Sequence, residues 1–205
     1  MNKKKDLFIT FEGPEASGKS SQILLLQKFL KKNNLPFIIT REPGGTKLAE
    51  SLRSLILKVK NNINIEEEIL MLMAARSHHI NNVIQPALDK GKIVISDRFA
   101  DSTFVYQGYV NKFGIQKCRD LHKYLLNNLL PKKTFLFKLS TSLILKRLKK
   151  RKFKNKYDML DKKFHDKVNK GYEIISKNKR FIKIDASNSI TKIHKNIIMH
   201  LNPLL

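Results

Sequence analysis

Residues 7–20 read Leu7-Phe8-Ile9-Thr10-Phe11-Glu12-Gly13-Pro14-Glu15-Ala16-Ser17-Gly18-Lys19-Ser20, an apolar run, an acid, and then a loop bounded by glycines. The run Leu7–Phe11 has the character of a strand buried on both faces. Ser20–Lys32 follows with Ile23, Leu24, Leu26 and Leu30 at helical spacing. Gly13-x-x-x-x-Gly18-Lys19-Ser20 therefore sits between strand and helix, where a phosphate-binding loop belongs. Its glycines let backbone amides turn inward and approach phosphate oxygens, and the positive end of the following helix adds to the anion site. In such a loop Lys19 bridges terminal phosphates and the Ser20 hydroxyl ligates magnesium. Pro14, Glu15, Ala16, Ser17 and Ser21 complete the expected wall. Glu15 is an odd choice, because a negative charge inside this loop opposes a polyphosphate unless a cation is brought to it. Glu12, at the end of the strand, is placed either to face magnesium or a substrate hydroxyl, or simply as a solvated strand-end charge.

Outward from the loop, four more short apolar runs read as parallel strands: Pro36–Thr40, Ile93–Ser96, Thr134–Leu139 and Arg180–Ile184. Helical stretches separate them at Leu48–Val59, Glu66 to Lys90 (which Pro86 should kink or break), 115–130, 141–152, 161–178 and 189–201. Alternating strands and helices imply an α/β fold, a doubly wound five-stranded parallel sheet flanked by helices. No repeat or composition break divides the 205 residues, so one domain is expected.

Many proteins carry such a loop, and the rest of the chain must choose among them. Three other clusters stand out. Arg41-Glu42-Pro43-Gly44-Gly45-Thr46 follows the second strand, at the sheet edge where α/β proteins bind ligands; Arg41 there can fork onto a phosphate. Asp97-Arg98-Phe99 ends the third strand, with Asp97 placed for magnesium through water and Arg98 for a phosphoryl group. Asp101-Ser102-Thr103-Phe104-Val105-Tyr106-Gln107-Gly108 reads as a helix whose Ser102, Thr103 and Tyr106 share a face. Gln107 offers both a donor and an acceptor, which suits a pyrimidine edge.

In order and spacing, from about Leu7 to Tyr172, these segments resemble the thymidylate kinase family, with its Phe-Glu-Gly before the loop, Arg-Glu-Pro-Gly-Gly-Thr, Asp-Arg-aromatic and Tyr-Gln-Gly. The resemblance implies a P-loop NTPase fold with a small lid, and transfer of the ATP γ-phosphate to dTMP. It implies that Arg41 and Arg98 hold the dTMP phosphate, with Gly45 and Arg53 nearby. Arg76 would reach the base, and Ser102, Thr103, Tyr106 and Gln107 would line the thymine and sugar pocket. Lys19, Arg98, Arg151 and Glu12 are the expected catalytic groups, and Ser20 and Asp97 the magnesium ligands. Family members without an arginine in the loop resemble a subtype that supplies one from a basic lid, here about residues 147–160. Arg147 and Arg151 lie four apart, as if on one helix face. Arg151 is the candidate cation for the ATP phosphates, with Arg147 as a nucleotide contact and Glu15 orienting lid residues. A homodimer is also implied.

Three departures from the family pattern are visible. Leu72 stands where relatives place a Phe that stacks on thymine, Lys156 stands for a lid arginine, and Lys132 and Lys138 replace acids. Weaker dTMP binding than in typical members is expected, with the reaction retained. The competing readings are a kinase for dUMP or UMP/CMP, a nucleic-acid-binding P-loop protein, and a homologue that only binds nucleotide.

The net charge of +24 is the strongest compositional anomaly. It admits a nucleic-acid or membrane-surface partner, but the lysines are dispersed and accompany frequent Asn and Ile, as an AT-rich coding sequence produces. Neither a nucleic-acid nor a membrane partner is therefore expected. No stretch approaches the ~20 apolar residues of a membrane helix, and Met1–Asp6 lacks the apolar core of a signal peptide. The single cysteine, Cys118, excludes an internal disulfide and suits a cytoplasmic location.

Overall fold

The computed structural model describes residues 7–58, 62–152 and 155–205. Met1–Asp6, Val59 of the second expected helix, and two residues of the expected lid (153–154) lie outside the described residues. Five parallel strands form one sheet in the order β2-β3-β1-β4-β5: β1 (Phe8–Glu12), β2 (Phe37–Arg41), β3 (Ile93–Asp97), β4 (Lys133–Lys138) and β5 (Phe181–Asp185). The expected sheet is thus present, its strand limits displaced by at most one residue.

The central strand β1 shows why these sequences make strands. Ile9 and Phe11 face one layer, where they pack with Leu26 and Leu30 of α1 (Lys19–Lys32), Ile144 of α7 (Thr141–Lys149) and Ile197 of α9 (Ile190–Leu201). Phe8 faces the other, with Met73 of α3 (Ile65–His79), Cys118 of α6 (Ile115–Leu125) and Val168 of α8 (Lys162–Ile175). Both faces are covered, so the strands are apolar almost throughout. Cys118 is fully buried, and burial pushes its thiol up to about 11, which makes it a packing residue rather than a nucleophile.

Local signals set the helix starts. Thr46 caps α2 (Lys47–Leu57) by accepting from the Ala49 amide, and Asn64 with Glu67 forms a reciprocal capping box on α3. The long stretch from residue 65 is interrupted as Pro86 requires, but by widening rather than breaking. A π turn over Ile80–Ile84 leads into α4 (Gln85–Asp89), with Pro86 in its first turn. A second π turn, Phe104–Val110, follows the short α5 (Ala100–Thr103). Helix α7 ends at Lys149, so the reading of Arg147 and Arg151 as one helix face is corrected: Arg151 lies beyond the helix.

Among the described residues, no helix is long and apolar enough to cross a membrane. At the carboxyl edge, Arg41, Asp97 and Phe11 sit in register on neighbouring strands. The segments after these strand ends open onto one cavity of about 480 Å³.

Candidate active site

Gly13 begins the loop at φ +135°, where an added Cβ would lie 2.5 Å from the Phe137 carbonyl oxygen, so only glycine fits. Gly18 caps α1 at φ +93° and offers no side-chain acceptor, which leaves the first-turn amides to an anion. The Lys19 ammonium donates to the carbonyls of Pro14 (2.8 Å) and Gly13 (3.2 Å). Burial, reinforced by the nearby Arg98 charge, lowers its pKa to about 8. Ala16, Ser17, Gly18, Ser20 and Ser21 line the cavity, whereas Pro14 faces the opposite side of the loop.

Ser20 donates to Asp97 Oδ2 at 3.1 Å, which brings two hard oxygen donors together beside the loop. Among the described residues no cluster of three or more His, Cys, Asp or Glu forms a closed metal cage. That donor set fits magnesium, which keeps waters and shares phosphate oxygens rather than filling an all-protein site.

Glu12 is fully buried rather than a solvated strand-end charge, and it is not among the residues that line the cavity. Its carboxyl accepts from the Phe99 amide (2.7 Å), the Ser102 hydroxyl (2.7 Å) and the Tyr172 hydroxyl (2.8 Å). Burial, with Asp101 adding to it, raises its pKa to about 7. Glu15 also takes partners other than those expected. Rather than a lid residue, it holds Arg98 (2.9 Å) and the Tyr106 hydroxyl (2.7 and 2.8 Å). Burial opposes its ionisation, but Arg98 and Lys19 outweigh burial and keep the carboxyl below its usual range. The awkward loop acid is thus answered from the end of β3. Arg98 itself sits at φ +70°, a strained position for a non-glycine residue, and donates onward to Ser102 and Tyr172, each at 3.1 Å.

The loop after β2 is built tightly. Gly45, at φ +86°, would drive a Cβ to 2.5 Å from His79 Nε2. Its amide donates to Glu50, which also takes the Arg41 guanidinium at 2.9 and 3.1 Å. Arg53 donates to the Pro43 carbonyl (2.7 Å), and both Arg41 and Arg53 line the cavity. Beneath them Glu42 is buried and joins Arg76 (2.6 Å) to His79 (2.9 Å). Arg76 donates to Thr103 (2.8 Å) and lies over the Phe99 ring, 5.2 Å from its centre. Its remaining nitrogen, Nη1, is buried with no protein partner among the described residues, in a side chain that lines the cavity with Leu72. A buried donor in that position calls for an acceptor from a ligand.

The residues of the expected lid part company. Arg147 donates to the Ala16 and Ala186 carbonyls, both at 3.1 Å, beside the loop. Arg151 lines the cavity and is held by Asp158 (2.9 Å), whose own side chain is fully buried. Lys156 and Tyr157 turn instead to Glu68 on α3, each at 2.5 Å, and the Gln107 amide joins the same carboxylate at 2.6 Å.

Sequence reasoning assigned no role to Glu42, Glu68, His79, Tyr157 or Tyr172. Glu42 lies inside the quoted hexapeptide, and Glu68 precedes Leu72 and Arg76 at steps of four, the spacing of one helix face. The burial of Tyr172 against Glu12 has no local signal, because 160 residues separate the pair.

Comparison with known proteins identifies the family. The Thymidylate kinase family profile matches residues 11–197. The chain is 38% identical over 196 residues to the thymidylate kinase of Halothermothrix orenii, covering 94% of this chain and 95% of that one. It is 40% identical over 202 residues to that of Rickettsia bellii, with 97% of each chain covered. The Mycoplasma capricolum enzyme is 40% identical over 197 residues, covering 94% of this chain and 92% of its own. The chain belongs to the thymidylate kinase family.

Proposed function

We propose that this protein transfers the γ-phosphate of ATP to dTMP, giving dTDP and ADP. The observation that carries the reading is Arg76: its side chain lines the cavity that the phosphate loop also lines, and its Nη1 donor is buried without a protein partner among the described residues. A kinase for a keto-pyrimidine monophosphate needs this combination: one end for phosphates, the other for a carbonyl-bearing base.

In this reading the loop amides and Lys19 hold the β- and γ-phosphates, and Arg147 lies against the nucleotide. Magnesium bound with the nucleotide supplies positive charge at the phosphates, and Ser20 and Asp97 are the residues that would hold it. Arg98 and Arg41 bind the dTMP phosphate, while Arg53 and Gly45 shape its loop. Arg151 brings lid charge to the transferring group. Arg76 donates to the base, Gln107 accepts from it, and Thr103 and Ser102 keep the two arginines in place. Phosphoryl transfer needs alignment and charge stabilisation rather than a covalent group. Glu12, by contrast, acts by fixing Ser102 and Tyr172 around Arg98, not as a catalytic acid or base.

The test is a panel of dTMP, dUMP, UMP and CMP with ATP and magnesium. dTDP formation with the highest kcat/KM for dTMP supports the assignment; dTMP left unphosphorylated ends it. A second expectation concerns Leu72, which lines the cavity where an aromatic face would stack on the base. Leu72→Phe should lower the dTMP KM by about 3- to 10-fold, the equivalent of roughly 1 kcal/mol of stacking. Steady-state kinetics checks it, and an increased KM would contradict the stacking argument.

We also propose a homodimer. Leu48 and Leu55, two turns apart on α2, and Leu70 on α3 are 47%, 49% and 65% exposed, which supports apolar contact with a second copy. Sedimentation at micromolar concentration would reveal a monomer if this is wrong.

A further inference from the structure

Glu68 projects from α3 on the helix face that also carries Leu72 and Arg76, and its side chain is 6% exposed. Three donors converge on it. Oε1 accepts from Gln107 Nε2 (2.6 Å) and from the Tyr157 hydroxyl (2.5 Å), and Oε2 accepts from the Lys156 ammonium (2.5 Å). The Tyr157 hydroxyl in turn accepts from Gln107 Nε2 at 3.3 Å. The Tyr157 ring packs edge-on to Tyr106 and stacks on Phe164.

An ionised carboxylate accepts hydrogen bonds and donates none. Glu68 therefore fixes which end of the Gln107 amide points where. The NH₂ group must face Glu68, and the carbonyl oxygen is the end left to the cavity that Gln107 lines. The wall beside the base then presents an acceptor from Gln107 and a donor from Arg76. Thymine and uracil match it, with N3–H as donor and a keto oxygen as acceptor. Cytosine carries an acceptor at N3 and favours the flipped amide, which would turn a carbonyl toward Glu68 and the Tyr157 hydroxyl.

We propose that Glu68 is a positioning residue that couples the pyrimidine edge read by Gln107 to the hold on the lid arm at Lys156 and Tyr157. A keto pyrimidine leaves the amide as Glu68 sets it and the arm tied down. A base that demands the flipped amide puts acceptor against acceptor and loosens the arm. The inference rests on Gln107 facing the base, as proposed above.

Glu68→Gln is the test, because an amide at 68 meets either orientation of Gln107 with nearly unchanged volume. The preference for dTMP over dCMP in kcat/KM should narrow by about tenfold, the scale on which one misoriented polar contact discriminates. In the parent chain tryptic cleavage after Lys156, followed by mass mapping of that bond, should be slower with dTMP than with dCMP; in Glu68→Gln, cleavage should be faster and alike with either nucleotide. A merely structural role for Glu68 would change the melting temperature and leave both readouts as they were. Full retention of the dTMP preference and of dTMP protection in Glu68→Gln overturns the proposal. Should that variant not fold, Tyr157→Phe removes one of the two bonds between the arm and Glu68 while keeping the ring and the direct Gln107–Glu68 bond: cleavage after Lys156 should quicken with the dTMP preference kept, and an unchanged cleavage rate overturns the proposed hold on the arm. Gln107→Leu, run in parallel, isolates the underlying reading. If it loses dTMP affinity while Glu68→Gln stays unchanged, only the coupling fails; if it leaves dTMP kinetics untouched, the assignment of Gln107 to the base fails and the coupling with it.

Discussion

Lys19→Met will lower kcat by about 10³-fold, the scale of removing a preorganised charge from a phosphoryl-transfer transition state. Met keeps the length of the buried stem and drops the ammonium, so the loss isolates the charged group. Stability should barely change. Burial lowers the lysine pKa to about 8, which means that folding works against its charge rather than drawing on it. Circular dichroism melts at pH 7 should place the variant within a few degrees of the parent. The same shift predicts a pH dependence. The free protein loses the Lys19 proton above about pH 8, so kcat/KM for ATP should fall there, approaching tenfold per pH unit. Bound phosphates favour the charged form, so kcat should stay flat to higher pH. For stability the sign is opposite: between about 8 and the ordinary 10.5 the unfolded chain binds the proton and the folded chain does not, so this group's contribution to stability rises with pH. A kcat/KM profile that stays flat to pH 10 would contradict the argument.

Arg98→Ala and Arg98→Gly will each lower kcat/KM for dTMP by about 10³-fold or more. The side chain is proposed to meet the dTMP phosphate, and it also holds Glu15, Ser102 and Tyr172. Its loss leaves Glu15 nearly buried beside the loop without its strongest cation, so ATP affinity should fall as well. The two variants should differ in stability. At φ +70° alanine keeps the backbone strain and glycine relieves it, so the glycine variant should be the more stable by about 1 kcal/mol. Kinetics checks the first expectation and denaturant unfolding the second. Equal stabilities would show that the surrounding structure, rather than the left-handed backbone, sets the cost.

The parts of this molecule that were legible in the sequence share a physical property: each is written locally. A strand covered on both faces must be apolar along its length, so Leu7–Phe11 and Ile93–Ser96 announced themselves. The phosphate loop needs glycines at fixed offsets, and the loop after β2 needs them where His79 leaves no room for a side chain. What remained hidden depends on partners distant in the chain. Glu12 gave no sign that Tyr172 and the Phe99 amide would bury it, nor Lys156 that Glu68, 88 residues away, would take it. Arg151 misled for a different reason. Helical spacing assumes that the helix continues, and α7 stops two residues earlier.

The wide turn at Phe104–Val110 carries a consequence of its own. Here the Asn111 amide bonds back five residues to the Tyr106 carbonyl, so the segment holds one residue more than ordinary helical winding needs. Deleting one residue early in the turn would restore that winding and swing the residues beyond the deletion by about 100°. Gln107 would turn away from the cavity wall although every neighbouring side chain kept its identity. If Gln107 reads the base as proposed, its reach is a property of chain length, and in evolutionary terms the loss or gain of a single codon is a route to altered nucleotide choice that no substitution table would reveal.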